Sequence, residues 1–210
     1  MDHAAFVAHE LIAWHARFGR HDLPWQRETT PYRVWVSEIM LQQTQVATVI
    51  GYFDRFMQRF PTVAELAAAP LDEVLHLWSG LGYYSRARNL HRAAQLVVAE
   101  HGGELPASAE ALANLPGIGR STAAAIRALA ANERGAILDG NVRRVLSRVF
   151  LVGTGTERER EKKLWQLADD CTPQENVATY TQAIMDLGAT VCLRRRPLCP
   201  GCPLNARCGA

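Results

Sequence analysis

Along almost the whole chain apolar residues return every three or four positions, and in no segment is an alternation with polar ones sustained. The first spacing lines up one side of a helix; the second would line up one face of a strand. Val7, Leu11, Trp14 and Phe18 make one stripe, and Val46, Val49, Ile50, Phe53, Met57 and Phe60 another. Leu71, Val74, Leu75 and Trp78 make a shorter one. Leu90, Ala94, Val97 and Val98 carry the pattern on, then Val142, Val145, Leu146 and Val149, then Leu164, Leu167, Ala168 and Cys171. The punctuation agrees. Thr30-Pro31 reads as an N-cap followed by a first-turn proline. Pro61-Thr62, Pro70, Pro106-Ala107-Ser108 and Thr172-Pro173 fall between the stripes. The pattern predicts an all-α chain of about ten short helices with tight connections.

The 210 residues suffice for one large domain or two small ones. No apolar run reaches the length of about 20 residues that a membrane span needs; Ala123 to Ala131 comes nearest, and Arg127 interrupts it. Met1-Asp2-His3 is followed by no apolar leader segment, so a cytoplasmic location, without membrane association, is the expectation. The net charge of +2 says little about partners, and its distribution says more. Arg194, Arg195, Arg196 and Arg207 lie in a stretch, Val191 to Ala210, without Asp or Glu, and Arg143, Arg144 and Arg148 form a second basic cluster. Such clusters suit phosphate groups or a solvated face alike.

Four of the five cysteines crowd the last segment, Cys192, Cys199, Cys202 and Cys208, in the spacing C-x6-C-x2-C-x5-C. In a cytosolic chain this is a metal-site pattern before it is a disulfide framework. Four thiolates suit a tetrahedral zinc ion or an iron–sulfur cube. A single C-x2-C knuckle set among prolines and glycine, Leu198-Cys199-Pro200-Gly201-Cys202-Pro203-Leu204, favours a 4Fe–4S cluster, with zinc as the alternative. Cys171 lies on an apolar stripe and reads as a core residue.

The segment Leu115-Pro116-Gly117-Ile118-Gly119-Arg120-Ser121-Thr122 joins two predicted helices. Gly117 and Gly119 permit positive φ and a close backbone approach to a ligand. A helix N-terminus beside such a turn aims N–H groups at one point, which suits a phosphate. This is a helix–hairpin–helix pattern, which holds DNA by its backbone without reading bases.

With these residues stand Leu23-Pro24-Trp25, Ser37-Glu38-Ile39-Met40-Leu41-Gln42-Gln43-Thr44-Gln45-Val46, Gly80-Leu81-Gly82-Tyr83-Tyr84 and Leu138-Asp139-Gly140-Asn141-Val142. In this order, the six blocks make the chain resemble the catalytic region of the MutY adenine-DNA glycosylases, in the endonuclease III branch of helix–hairpin–helix base-excision enzymes. The resemblance runs over essentially all of the chain. It implies a two-lobed fold, with a six-helix barrel over residues 23–134 and a cluster lobe from residues 1–22 plus 135–210. It also implies a monomeric, nucleoid-associated repair enzyme that removes adenine mispaired with 8-oxoguanine or guanine in double-stranded DNA. Family members carry a further domain that recognises 8-oxoguanine. This chain ends at Ala210, as a truncated or a naturally short version, so that domain is expected to be absent and the 8-oxoguanine preference weakened.

Adenine inside a duplex has to be flipped out of the stack before its glycosidic bond can be cut. The resemblance gives Gln43 and Tyr83 the task of filling the vacated space, and it gives phosphate contacts to Gly117, Gly119, Arg194, Arg195 and Arg196. The departing base needs a proton, and the sugar cation left behind needs a negative charge; two carboxyl groups in different environments meet both needs. Glu38 sits mid-helix among apolar neighbours that favour its protonated form, and it is the expected general acid and later base. Asp139, at a predicted helix start, is expected to stay ionised and stabilise the oxocarbenium-like state. Trp25, Ser121 and Gln182 are the expected adenine pocket. Relatives that cut the DNA backbone carry a lysine at the position of Ser121; a serine forms no Schiff base, so the chain reads as monofunctional. Arg143, where relatives can carry a sugar-trapping lysine, points the same way. The competing readings are a related glycosylase with another base choice, such as thymine, and a non-catalytic iron–sulfur DNA-binding protein.

Overall fold

The computed structural model describes residues 2–210. These form twelve α-helices and two single-turn 3-10 segments, with no strand among the described residues. No helix among them is long and apolar enough to cross a membrane. The chain divides into two compact units, Asp22–Ala130 and Met1–His21 with Ala131–Ala210.

The central unit holds eight helical segments: α2 (Pro24–Arg27), α3 (Pro31–Leu41), α4 (Val46–Arg59), α5 (Val63–Ala68), α6 (Leu71–Leu77), α7 (Tyr84–His101), α8 (Ala109–Ala113) and α9 (Arg120–Ala131). Their starts are written in the sequence. The Thr30 hydroxyl accepts from the Arg33 N–H (3.3 Å) ahead of Pro31. Thr62 and Glu65 form a reciprocal capping box on α5 (3.2 and 3.0 Å). The stripes become the core: Val49, Phe53, Phe56, Phe60, Val74, Trp78, Leu90 and Val97 are all essentially without solvent. Phe56 stands edge-on to Phe60 and Trp78, at 5.0 and 6.0 Å between centroids, a geometry that adds about 0.5–1.5 kcal/mol per pair to the area buried.

The other unit packs α1 (His3–Phe18) on α11 (Glu157–Cys171) and α12 (Val177–Thr190), and α10 (Gly140–Val149) on the same two helices. Buried Tyr180, Ala183, Ile184 and Leu187 make α12 its central helix. A Cβ on Gly188 would lie 2.6 Å from that of Asn141, so α10 and α12 approach more closely there than any larger residue allows. Cys171 is buried, as its stripe predicts, and burial pushes its thiol up to about 12. Phe18 departs from its stripe. Helix α1 ends at this residue, and the ring, 63 % exposed, lies against the Arg17 guanidinium instead of the core.

Candidate active site

Glu38 lies in the last turns of α3, half-buried, between fully buried Ser37 and Ile39. Helix α3 gives way to a short loop at Gln42, and Gln43 takes up a left-handed backbone, φ 58°. Tyr83, at the start of α7, does the same at φ 49° and is 58 % exposed. Each such non-glycine residue costs about 1–3 kcal/mol and persists only where its surroundings hold it. Both side chains named from sequence as space-fillers therefore sit on strained backbone and face solvent.

Trp25 is 5 % exposed and edge-on to Phe53 at 5.4 Å, so its ring is a packed wall of the core. One expectation on this unit, that both hairpin glycines use positive φ, needs correction. In the hairpin only Gly117 has positive φ (+81°), with the Asn89 Cβ 3.0 Å from where its own Cβ would stand. Gly119 needs no such freedom; a Cβ there would meet nothing within 4 Å. The turn is nailed down by Leu115 and Ile118, both buried, which leaves Gly117 exposed between them and Gly119 exposed just after. Ser121 follows in the first turn of α9.

Asp139 is the N-cap of α10, and its Oδ1 accepts from the Val142 N–H at 2.8 Å. Burial pushes the carboxyl above the usual carboxylate range, against the backbone N–H groups of Val142 and Asn141 and the Arg144 charge, which pull it down. The sequence foresees only the lowering half of this balance. The basic cluster on α10 is not a free phosphate surface. Arg143 pairs with Glu161 (3.1 Å) and Glu157 (3.7 Å). Arg144 bonds to Asn141 Oδ1 (2.8 Å), the Cys192 carbonyl (2.7 Å) and the Gly188 carbonyl. Gln182 is buried, and its amide nitrogen donates to Asp186 at 2.8 Å, so that donor is committed within the protein. The Asp186 carboxylate, 1 % exposed, also accepts from the Arg20 backbone (2.8 Å) and guanidinium (2.9 Å), with His15 Nε2 at 3.5 Å. Burial alone would raise its pKa; the His15 and Arg20 contacts outweigh it and hold the carboxyl low.

The four C-terminal cysteines are free of disulfides and line one cavity of about 130 Å³, walled by Val145, Val149, Leu187 and Leu204. Among the described residues no group of three or more Cys, His, Asp or Glu is gathered closely enough to hold a single metal ion. The thiols surround a space many times the 10–15 Å³ or so that one water occupies; soft donors around an apolar cup fit an iron–sulfur cube. Arg148 donates to the Cys192 Sγ at 3.2 Å and to the Leu193 carbonyl at 2.8 Å. The Gly209 N–H closes the loop on the Val149 carbonyl (3.1 Å). Arg194, Arg195 and Arg196 are exposed.

The polar ties among these segments were not foreseen. Arg86, Arg144, Arg148 and Asp186 look like surface charges in sequence. The available signal was position: Arg86 occupies the buried stripe of α7 with Ala87, Leu90, Ala94 and Val97, where an unpaired charge would be untenable.

Residues 36–170 match the family model described as HhH-GPD superfamily base excision DNA repair protein. The chain is 45 % identical over 198 residues to the adenine DNA glycosylase of Buchnera aphidicola subsp. Baizongia pistaciae, covering 94 % of this chain and 56 % of that protein. It is 48 % identical over 210 residues to the adenine DNA glycosylase of Rattus norvegicus, covering 95 % and 40 %. It spans about half the length of the curated relatives it matches. Among solved structures, a thermostable thymine-DNA glycosylase superposes with a TM-score of 0.86 at 28 % identity, covering 98 % of this chain and 94 % of that one. An endonuclease III in a non-covalent DNA complex shares the fold, with a TM-score of 0.78 at 24 % identity over 97 % of this chain and 92 % of that one. With all-helical units, a glycine hairpin ahead of α9 and a family match over more than half its length, this chain belongs to the HhH-GPD superfamily of base excision DNA repair proteins.

Proposed function

We propose that the chain is the base-excising portion of an adenine-DNA glycosylase, acting on adenine opposite 8-oxoguanine or guanine in double-stranded DNA. The observation that carries this reading is 45–48 % identity, along 94–95 % of the chain, to proteins named adenine DNA glycosylase. The thymine-DNA glycosylase shares the fold at only 28 % identity, so the fold leaves the choice of base open and the sequence argues for adenine.

In this reading the exposed glycines Gly117 and Gly119 hold a phosphate of the DNA backbone through main-chain N–H groups, and Arg194, Arg195 and Arg196 neutralise others. Gln43 and Tyr83 fill the space left by the flipped nucleotide; stacking on an aromatic ring is worth about 1–3 kcal/mol. Glu38 delivers a proton to adenine N7 as the C1′–N9 bond breaks, and the bonding electrons leave with the base. The Asp139 carboxylate stabilises the positive sugar. Glu38, now ionised, takes a proton from water as the water oxygen bonds C1′. Ser121 offers no amine for a Schiff base and Arg143 is held by two glutamates, so the product is an intact strand with an abasic site. Ser121, with Trp25 as packed wall, is the central unit's share of the adenine pocket.

Cys192, Cys199, Cys202 and Cys208 hold a 4Fe–4S cluster in this proposal. When bound it supplies a redox-capable cross-link of the C-terminal loop; the base is released by protein groups alone. The protein works as a monomer in the cytoplasm, at the nucleoid.

The test is single-turnover base release from duplexes carrying A:8-oxoguanine, A:G, T:G and A:T, with alkali added only to reveal abasic sites. Release from the two adenine mispairs, abolished by Glu38→Gln and invisible before alkali, is the expected result. Release of thymine from T:G, or strand breaks before alkali, would overturn it.

A further inference from the structure

Arg86, buried in the first turn of α7, has no acidic partner among the described residues; its two terminal nitrogens are spent on carbonyl and hydroxyl groups. One terminal nitrogen donates to the carbonyls of Ile39 (3.0 Å), Met40 (2.8 Å) and Gln42 (2.6 Å), the end of the helix that carries Glu38. The other donates to the Thr44 hydroxyl (3.1 Å) and to the carbonyls of Leu81 (3.3 Å) and Gly82 (3.2 Å). The planar group lies over the rings of Trp78 and Tyr83, at 5.5 and 5.4 Å from their centroids. The Trp78 indole N–H shares the Gly82 carbonyl at 3.1 Å. One rigid fork therefore brackets Gln43 on both sides, through Gln42 and Thr44, and grips the two residues before Tyr83. Gln43 and Tyr83 are the two residues of this unit, other than asparagine or glycine, with left-handed backbone.

We propose that Arg86 is the positioning residue that locks the Gln42–Thr44 loop to the Leu81–Tyr83 loop, so that Gln43 and Tyr83 enter a DNA stack as one wedge of fixed spacing. This rests on the reading of those two side chains as space-fillers. The delocalised fork is what the task requires: it serves acceptors in two loops at once, whereas a lysine ammonium has three donors on a single point. Set this way, the loops need no reorganisation when a base is extruded, which is where misplacement by about 1 Å can cost about a hundredfold.

The experiment uses a duplex with 2-aminopurine opposite guanine, whose fluorescence rises when the base leaves the stack, followed by stopped flow on the intact protein. Arg86→Met, Arg86→Lys and Thr44→Val are compared with Gln43→Ala and Tyr83→Ala, with affinity for an undamaged duplex and thermal unfolding measured on each. Thr44→Val removes a single acceptor and keeps the fold testable if Arg86→Met does not fold. The expected result is extrusion lowered about tenfold or more in Arg86→Met and Arg86→Lys, and about threefold in Thr44→Val, while undamaged-duplex affinity stays within about twofold. A merely structural role would move affinity, extrusion and unfolding together. Wild-type extrusion in folded Thr44→Val and Arg86→Lys, alongside losses in Gln43→Ala and Tyr83→Ala, overturns the inference and leaves the space-filler reading standing. Wild-type extrusion in Gln43→Ala and Tyr83→Ala overturns both.

Discussion

Replacing Asp139 by asparagine should move stability and activity in opposite directions, and the geometry says by how much. The side chain does two things in the free protein: its Oδ1 caps α10 through the Val142 N–H, and its charge is held in a site where burial pushes its pKa up. Asparagine caps as well as aspartate does, whereas alanine forfeits about 0.5–2 kcal/mol. Asparagine also carries no charge to desolvate. Asp139→Asn should therefore unfold within about 1 °C of the wild type or above it, and Asp139→Ala about 2–4 °C below it for each kcal/mol lost in a chain of this size. The sign with pH follows. A carboxyl whose pKa is raised by folding binds protons more tightly in the native state. Its penalty is absent below the ordinary value of 3.8 and grows as pH rises through the folded value. The advantage of Asp139→Asn over wild type should accordingly vanish below that pH. If the carboxylate stabilises the sugar cation, the single-turnover rate of Asp139→Asn should fall by about a hundred- to a thousandfold, the scale of losing one preorganised electrostatic contact. The wild-type rate should fall on the acid side at a pH above the usual carboxylate range. Melting curves at neutral and acid pH, with base release on the same samples, decide it. An Asp139→Asn protein that releases adenine at nearly the wild-type rate, or that melts as low as Asp139→Ala, refutes the reasoning.

Asp186→Ala removes the buried acceptor of Arg20 and Gln182 and should cost about 3–5 kcal/mol in urea unfolding; a loss under about 1 kcal/mol would mean the network is not worth its geometry. In the wild type that contribution is present above the ordinary carboxylate pKa and is lost as pH falls through the depressed value of Asp186. Gly117→Ala forces a Cβ onto Asn89 at positive φ and should cost about 1–2 kcal/mol. It should weaken binding to matched and mispaired duplexes alike, and a loss confined to mispairs would contradict a backbone contact. Cys208→Ser should lower iron and acid-labile sulfide together and fade the brown absorbance; stoichiometric zinc in the purified wild type, without iron, would replace the cube with a single ion.

How far the sequence could be read depended on how local the causes are. Caps and stripes are local: Thr30-Pro31 and Thr62 name their helix starts within four residues, and Val49 and Phe53 name the buried face of α4 by spacing alone. The hairpin was legible for the same reason, except that the sequence treats its two glycines as equivalent when only Gly117 carries the positive φ. The polar ties are not local. Arg86 reaches Met40 across 46 positions and Arg20 reaches Asp186 across 166, and no periodicity announces either partner. Asp139 shows the limit most clearly. Its helix-cap role is visible from its place before Gly140-Asn141, but the burial that dominates its titration is a property of the folded unit.

Strained backbone is unevenly distributed over the chain and bears on the proposed DNA contacts. Among the described residues, six other than glycine have positive φ: Gln43, Tyr83, Asn132, Leu151, Asn176 and Arg196. Asparagine tolerates this region because its short polar side chain can bond locally, so Asn132 and Asn176 need no further reason. Leu151 has a structural one. It follows the last turn of α10, where the Val152 N–H reaches back to the Ser147 carbonyl at 2.9 Å, the wrap that ends many helices. Three remain, Gln43, Tyr83 and Arg196, two with exposed side chains beside the Arg86 fork and one in the cysteine loop. All three are among the seven residues to which the resemblance gives DNA contacts, whereas Arg194, Arg195 and Gly119 from that set have ordinary backbone. A chain gains nothing in stability from left-handed glutamine, tyrosine or arginine, and strain of this kind gathers where function demands a particular display of side chains. A DNA role for these three residues is the proposal that this strain motivates, and the extrusion assay on Gln43→Ala and Tyr83→Ala tests it for two of them.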